Sequence, residues 1–429
     1  MPFPPAPPIH PVTDVALPSH AERALPNGAR LYVIDAAPQP VLKLEVVIEA
    51  GRWQEARASV SAAANALWRE GTVAASGTDA MSGAEAAERI DFYGATLQGF
   101  NTLDHSGFTL YALEKFLPQV LPLVFDLLLA PAFPRRELDT YVERATGQLR
   151  INADKPDLQA YRLLTEALYG PRHPYGYNST EAGLRSLTVA DLRAHHATHV
   201  LGGNTVAFAS GKVTDATAEL IAAQLARLPF GKTAPTPHRL APLPDRRLRL
   251  DLPGSLQSAL RLGRLAPDRD HPDYAGLYVL NTVLGGYFGS RLMTELREER
   301  GLTYNVDSSL DAMRYGGYLH IAAEVAAGQE AESLAAIREE LAILRDERIG
   351  EDELDMVRAY LMGSYLSMVD GPFQTAETIR TLVTETTPLW HFDRLVDTTR
   401  AITAQELQRL AREYLREEDW VEVVVGPGK

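Results

Sequence analysis

Two residues in the second half of the sequence, Arg297 and Tyr304, have side chains suited to binding a peptide carbonyl. They lie in the stretch LGGYFGSRLMTELREERGLTYN, residues 284–305, where a Gly-rich turn leads through Ser290 into a predicted helix. An arginine is a forked cation and a tyrosine is a phenolic donor, and both can donate to carbonyl oxygens. The positions three and four residues from Arg297 hold no acidic side chain. On a helix the arginine therefore has no local ion-pair partner.

One glycine and a short apolar pattern predict the helix end and the strand that must position this pair. Gly301 comes just after the last predicted helical turn, where glycine supplies the left-handed residue that ends many helices. Leu302, Tyr304 and Val306 then alternate with other residues, which predicts a strand. The turn at Gly301 thus places Arg297, at the end of the helix, against Tyr304 at the start of the strand.

An internal duplication sets the fold class. Thr188 and Thr403 each begin a capping-box pattern in front of a predicted helix, and their positions differ by 215. The same offset separates other repeated features: the strand-like segments 205–211 and 420–426, and Gly71 and Gly286. Each half begins with two strand-like runs, followed by helices and a second pair of strands. The sequence therefore predicts an α+β protein of two homologous domains, each a mainly antiparallel sheet covered by helices.

The domain boundaries follow from a Pro-rich segment between the two copies. Residues 228–246 contain five prolines and no periodic pattern. Such a segment behaves as a semi-rigid, extended spacer. We therefore predict domains at 1–227 and 247–429, joined by an exposed linker at 228–246.

The stretch at 284–305 resembles the second-half signature of the M16 zinc peptidases, the family of insulinase and the mitochondrial processing peptidase. In that signature, G-G-x-x-x-S-R-L is followed by R-x-x-x-x-x-x-Y. The matching positions here are Gly285, Gly286, Ser290, Arg291, Leu292, Arg297, Gly301, Leu302 and Tyr304. The resemblance runs from about Leu25 to the C-terminus. It implies two homologous domains facing each other like a clam shell, and it gives Arg297 and Tyr304 the role of holding the scissile peptide.

The same resemblance identifies what the first half lacks. M16 peptidases carry H-x-x-E-H on a helix before a Gly-Thr pair, where the two histidines bind zinc and the glutamate activates the zinc-bound water. Counted back from Gly71, these positions hold Ala62, Asn65 and Ala66. The third zinc ligand of the family corresponds by spacing to Glu143, and one carboxylate cannot hold zinc usefully. We therefore predict no metal and no cofactor in this chain.

A second departure lies on the strand that binds the substrate backbone in the family. The family pattern G-A-x-x-N-A becomes Gly94-Ala-Thr-Leu-Gln98-Gly99, which places an amide on a longer side chain. The resemblance thus adds Gln98 and Gly99 to Arg297 and Tyr304 as candidate substrate-binding residues.

A rival metal site is the motif HHATH. His195 and His199 are spaced to share one helix face, as in zinc motifs. However, no glutamate lies between them, and no other histidine outside the motif is near in sequence. We therefore favour a structural role for both rings.

Composition excludes several classes of protein. The net charge of −14 argues against nucleic-acid binding, and the absence of cysteine excludes disulfide and thiolate chemistry. The most apolar window, 116–133, contains Pro118, Pro122 and Asp126, which favours a buried amphipathic helix over a membrane span. The N-terminal segment has neither the basic region nor the apolar core of a secretory signal. We therefore expect a cytoplasmic protein.

Together these patterns favour the non-metal subunit of a bacterial heterodimeric M16B zinc peptidase. As the resemblance implies, such a chain is inactive alone and pairs with a homologue that carries H-x-x-E-H and zinc. The substrate would be a peptide or an unfolded polypeptide. Two alternatives remain open. One is a catalytically inert M16-like scaffold, and the other is a metal-independent protein that binds peptides.

Overall fold

The computed structural model describes residues 10, 12, 14–37, 39–74 and 79–428. The strands are β1 Ala21–Ala24, β2 Arg30–Asp35, β3 Val41–Ile48, β4 Gly71–Thr72, β5 Met81–Ser82, β6 Thr96–Asn101, β7 Ser106–Leu113, β8 Thr205–Gly211, β9 Arg247–Asp251, β10 Gln257–Ala266, β11 Thr303–Met313, β12 Gly316–Ala326 and β13 Val421–Gly426. The α-helices are α1 Val60–Leu67, α2 Gly83–Phe92, α3 Leu117–Leu129, α4 Arg135–Ala153, α5 Pro156–Tyr169, α6 Glu181–Arg185, α7 Val189–His199, α8 Asp215–Leu225, α9 Tyr274–Gly285, α10 Glu330–Asp346, α11 Glu351–Met368, α12 Gly371–Thr384, α13 His391–Ala401 and α14 Ala404–Tyr414.

The two halves of the chain build sheets of the same topology. The first sheet has the order β1-β2-β8-β3-β7-β6, and the second, read from its opposite end, has the order β9-β13-β10-β12-β11. In each sheet one equivalent pair is parallel, β2 with β8 and β9 with β13, while the other neighbours are antiparallel. Apart from β1, every strand of one sheet has its counterpart in the other. The fold is therefore α+β with two homologous domains, as the duplication predicted.

Each sheet buries one face against helices of its own half. Phe108 and Leu110 of β7 pack with Phe125 of α3 in the first core, and Ile321 of β12 packs with Leu280 of α9 in the second. The apolar window near residue 120 forms α3, as the sequence predicted. Among the described residues, no helix combines the length and the apolar character needed to cross a membrane.

The other face of each sheet is covered by a helix from the opposite half. Helix α5 packs on β10 and β13 of the second sheet, whereas α12 packs on β8 and β2 of the first. The two helices have the same length, 14 residues, and their positions differ by the offset of the duplication. They are therefore equivalent helices that the two halves exchange.

The contacts of the exchanged helices are apolar and close. Ala376 and Ile379 of α12 lie in one buried cluster with Tyr32 and Phe208 of the first sheet. On the second sheet Gly263 leaves room for α5, since a Cβ at that glycine would lie 2.8 Å from Leu164. Each half therefore contributes one helix to the buried packing of the other half.

The linker is hydrogen-bonded to the body of the protein along its length. Trp53 Nε1 donates to the carbonyl oxygen of Thr236 at 3.1 Å, and His238 Nε2 lies 2.8 Å from the carbonyl oxygen of Trp53. Further along, the Leu243 N–H donates to the Ala167 carbonyl at 2.9 Å. Most of its side chains are exposed, and these hydrogen bonds hold its backbone against the body of the protein.

We predict that cutting the linker leaves the two halves together. Limited trypsin digestion should cleave after Lys232 or Arg239, both exposed. The fragments should co-elute on size exclusion in native buffer and separate in denaturant, because α5 and α12 are each buried on the other half. Fragments that separate in native buffer would contradict the exchange.

Candidate functional site

Arg297 is positioned by a helix of unusual winding. The segment Met293–Glu299 is a π-helix, and beyond it the Arg300 N–H donates to the carbonyl oxygen of Glu295, five residues earlier, at 3.1 Å. Such helices are rare and occur often at functional sites. The sequence predicted a helix here but not its winding. Gly301 ends the helix with φ of +62°, in the left-handed region, as predicted.

Tyr304 is positioned by a β-bulge in β11. Thr303 pairs with Val325 and Val306 pairs with Ala323, so that Tyr304 and Asn305 together face one residue of β12. The Thr303 hydroxyl closes the bulge, accepting from the Asn305 N–H at 3.2 Å and donating to a carbonyl of β12 at 2.6 Å. An extra residue of this kind re-aims the side chains that follow it.

Because of the bulge, the alternation predicted for this strand does not hold at Tyr304. Leu302 and Val306 are buried, but Tyr304 is 83% exposed and does not share their face. In a regular strand Tyr304 would be directed with them toward the core. The extra residue instead directs the phenol into solvent, where a ligand can reach it.

Arg297 and Tyr304 are in contact, as the sequence predicted, and a third residue completes the group. The guanidinium carbon of Arg297 lies 4.8 Å from the ring centroid of Tyr304 and 4.8 Å from that of Phe288. A cation over an aromatic face is attracted by the ring quadrupole. The Phe288 ring is 65% exposed, so its contact with Arg297 is not core packing. Sequence reasoning missed Phe288, although an aromatic residue in a Gly-rich turn beside the motif was a signal.

The charge of Arg297 is not neutralised within the part of the chain that the structure describes. No carboxylate lies within ion-pair distance of it there, whereas Arg300, on the next turn, pairs with Glu295 at 2.5 Å and with Glu339 at 2.8 Å. The nearby acids are thus held by a different arginine. Arg297 keeps its donors available for a ligand.

The surroundings of Tyr304 suit an extended peptide. A cleft of about 190 Å³ opens beside its ring and is bordered by β10, β11, β12 and the first turn of α5. Strand β11 is at the edge of its sheet, so its outer N–H and C=O groups face no other strand of the described residues. Peptides commonly bind such an edge by adding a strand.

Helix α1 carries the residues at the predicted zinc-motif positions and is followed by the Gly-Thr pair in β4. Its Asn65 is buried, and the Nδ2 group donates to the Gly107 carbonyl of β7 at 3.0 Å. A Cβ added at Gly99 would lie 2.9 Å from Asn65 Oδ1. Asn65 therefore fastens α1 to the sheet beside Gly99, while Ala62 and Ala66 present only methyl groups.

Glu143 is exposed on α4 and pairs with a surface arginine. Its Oε1 lies 2.6 Å from Nη1 of Arg185, and this hydrogen bond lowers the pKa of the Glu143 carboxyl below its ordinary value. Across the described ranges, no cluster of three or more His, Asp or Glu side chains could hold a metal ion.

The histidines of the HHATH motif serve packing. His195 Nε2 lies 3.1 Å from the Ala50 carbonyl oxygen, and His196 Nε2 lies 2.8 Å from that of Leu128. Burial lowers the pKa of both rings to about 4, so both are neutral near pH 7 and donate to these carbonyls. The His195 and His199 rings are 4.7 Å apart. The Nε2 atom of His195 is hydrogen-bonded to the backbone and is therefore not free to bind zinc.

The candidate residues therefore form two groups on different sheets. Arg297 and Tyr304 meet at the edge strand of the second sheet. Gln98 and Gly99 lie on β6, the edge strand of the first sheet, with Asn65 beside Gly99. Strands β6 and β11 occupy equivalent positions in the duplication, so each domain has one open edge with candidate residues.

The comparisons with known proteins agree with this architecture. Residues 186–361 match the family described as Peptidase M16 inactive domain. The chain is 25% identical over 355 residues to the "Uncharacterized zinc protease YmxG" of Bacillus subtilis, covering 82% of this chain and 85% of that protein. It superposes on a structure of a peptidase M16 inactive domain from Pseudomonas fluorescens with a TM-score of 0.85 and 27% identity, over 96% and 98% of the two chains. A protease from Helicobacter pylori shares the fold, with a TM-score of 0.86, 17% identity and coverage of 96% and 100%.

The duplicated α+β fold is thus similar to that of the M16 structure from Pseudomonas fluorescens, and the second domain carries Arg297 and Tyr304 in contact. The chain is homologous to bacterial proteins named as zinc proteases, and its matched region is of the inactive-domain type.

Proposed function

We propose that this chain is the non-metal subunit of a heterodimeric M16B zinc peptidase. The observation that carries the proposal is the environment of Arg297, whose guanidinium contacts the rings of Phe288 and Tyr304 and has no acidic partner among the described residues. A half-buried guanidinium without an acidic partner and an exposed phenol in contact with it form a donor pair for a peptide carbonyl. A structural arginine would instead be paired, as Arg300 is.

The proposed division of roles follows from the chemistry of each of the two subunits. A homologue bearing H-x-x-E-H would hold zinc and supply the activated water. In this chain Tyr304 would donate to the carbonyl oxygen of the scissile peptide as negative charge develops on it. Arg297 would bind and orient the substrate from the same side. Removing one such preorganised donor typically costs about 2.7–4 kcal/mol of barrier.

The comparisons support this proposal from two directions. Residues 186–361 match a family described as an inactive domain. Separately, outside that range, the sequence holds Ala62, Asn65 and Ala66 at the positions of the zinc motif. The relative from Bacillus subtilis is named as a zinc protease, which suggests peptide substrates for the fold. A partner is needed because the nucleophile and the oxyanion donor must converge on one carbonyl carbon.

A second candidate is an inert scaffold or a peptide-binding protein. It is favoured by Asn65, which fastens α1 to β7 and so gives the former zinc helix a structural role. Under this reading the open edges at β6 and β11 would bind extended peptides without cleaving them. Copurification from the native host, followed by identification of the bound chain, distinguishes the two. An H-x-x-E-H homologue supports the subunit, and its absence supports the second candidate.

The main test is reconstitution. The chain is mixed with the H-x-x-E-H homologue of its own organism, and cleavage of a quenched peptide library is measured for each chain and for the mixture. We expect activity in the mixture only. Equal activity of the homologue alone would contradict the proposal.

We also predict that the isolated chain holds no stoichiometric zinc. The side chains at positions 62, 65 and 66 cannot ligate it, and Glu143 is engaged by Arg185. Elemental analysis of protein purified without chelators measures this directly. One tightly held zinc per chain would contradict the prediction, and loss of that zinc in His195→Ala but not in Asp139→Ala would locate it at HHATH.

A further inference from the structure

A second cleft, of about 440 Å³, lies in the second domain and shares no lining residue with the cleft beside Tyr304. It is formed where α10 faces the first residues of β9 and β13. Its apolar lining is made of Leu262, Leu341 and Trp420, all buried. Four arginines surround them: Arg246, Arg247, Arg338 and Arg345.

The positive charge in this cleft is only partly neutralised. Arg338 pairs with Glu422. Arg246 and Arg345 donate to the backbone carbonyls of Asp419 and Leu415, at 3.2 and 2.6 Å, and these contacts leave their charges unbalanced. The Arg247 backbone belongs to the β9–β13 ladder, but its guanidinium has no hydrogen bond or ion pair with any described residue.

Two carboxylates near the arginines offset part of this positive charge but not all of it. Glu417 and Glu418 line the cleft, are exposed and form no ion pair within the described residues. Three guanidinium groups therefore remain against two unpaired carboxylates, and the most accessible free donors are those of Arg247.

Trp420 gives independent evidence of a missing partner. The side chain is only 6% exposed, yet its Nε1–H has no acceptor in the part of the chain that the structure describes. Buried donors are nearly always paired in folded proteins. A ligand with an acceptor group would satisfy it, while a fully apolar ligand would not.

We propose that this cleft binds an organic anion, whose phosphate or carboxylate is held by Arg247 together with Arg246 and Arg345. The apolar body of the ligand would lie on Leu262, Leu341 and Trp420. Guanidinium groups recognise both kinds of oxyanion through paired hydrogen bonds. The cavity volume is that of a typical small-molecule site, which suits a ligand of nucleotide size or smaller. The proposal goes beyond the peptidase function and does not depend on it.

The test uses the full chain and three probes, which are inorganic pyrophosphate, adenosine monophosphate and citrate. Binding is measured by calorimetry and by tryptophan fluorescence. We expect at least one probe to bind, with Kd raised about tenfold or more in Arg247→Ala and partly restored in Arg247→Lys. Arg247 has no partner to lose among the described residues, so both variants should fold with unchanged Tm. The overall charge of −14 gives an anion no general attraction to the chain, so binding reports a local site.

A matched control is Arg172→Ala, which removes an exposed arginine of the first domain and should leave Kd unchanged. Preference for pyrophosphate or adenosine monophosphate over citrate would assign a phosphate ligand, and the reverse would assign a carboxylate. Three results would overturn the proposal: no binding of any probe at millimolar concentration, equal affinity in Arg247→Ala and the unaltered chain, or equal weakening in Arg172→Ala.

Discussion

Tyr304→Phe is expected to lower kcat of the reconstituted peptidase by about 10²–10³, the usual effect of removing one oxyanion donor. The substitution removes only the phenolic hydroxyl. The ring that stacks on Arg297 remains, and so does the bulge, which is closed by Thr303 rather than by the tyrosine. KM, assembly with the partner and zinc content of the complex should stay unchanged. Steady-state kinetics, together with size exclusion and metal analysis of the complex, measures all four quantities.

The control for this substitution is Tyr360→Phe. Tyr360 is also partly exposed, at 46%, and its ring is tilted against that of Tyr287, in the Gly-rich turn, with 4.9 Å between the ring centroids. Its ring is not one of the two that contact Arg297, and removal of its hydroxyl should leave kcat within experimental error. A comparable loss of kcat in both variants would mean that the effect at Tyr304 does not come from its hydroxyl acting as a hydrogen-bond donor to the substrate.

Arg297→Ala is expected to lower kcat/KM by about 10–100-fold, mainly through KM. A hydrogen bond to a charged group is worth about 1.5–3 kcal/mol, and the arginine would make such bonds to bound substrate. Arg297→Lys should recover little of the loss, because an ammonium group keeps the charge but not the planar fork that lies between two rings. Peptide titration of the complex and its steady-state kinetics give the two constants separately.

Two further variants, Phe288→Leu and Arg300→Ala, serve as comparisons for Arg297→Ala. Phe288→Leu removes one of the two rings over the guanidinium and should raise KM by a smaller factor in the same direction. Arg300→Ala removes an arginine of the adjoining turn that is already ion-paired, so it should not change kcat/KM. Full activity of the Tyr304→Phe, Arg297→Ala double variant in the reconstituted pair would show that this chain acts only as a scaffold.

The duplication, the domain order and the identity of the candidate residues were determined by the sequence alone. Repeated capping patterns and a constant offset are properties of the chain itself, and they predicted two sheets of equal topology. Gly301 ended its helix because a left-handed residue is a local requirement, met wherever glycine follows the last turn. The replacements at Ala62, Asn65 and Ala66 likewise follow from residue type, since neither a methyl group nor an amide can replace a zinc-binding imidazole or a general base.

Other features depended on contacts between residues far apart in sequence. The bulge at Tyr304 exists only in the register between β11 and β12, which no pattern within β11 can specify, and so the alternation rule placed the side chain on the wrong face. The role of Phe288 depended on the turn that carries its ring onto Arg297. The exchange of α5 and α12 was decided by tertiary packing, because an amphipathic helix shows which of its faces is apolar but not which sheet will cover it.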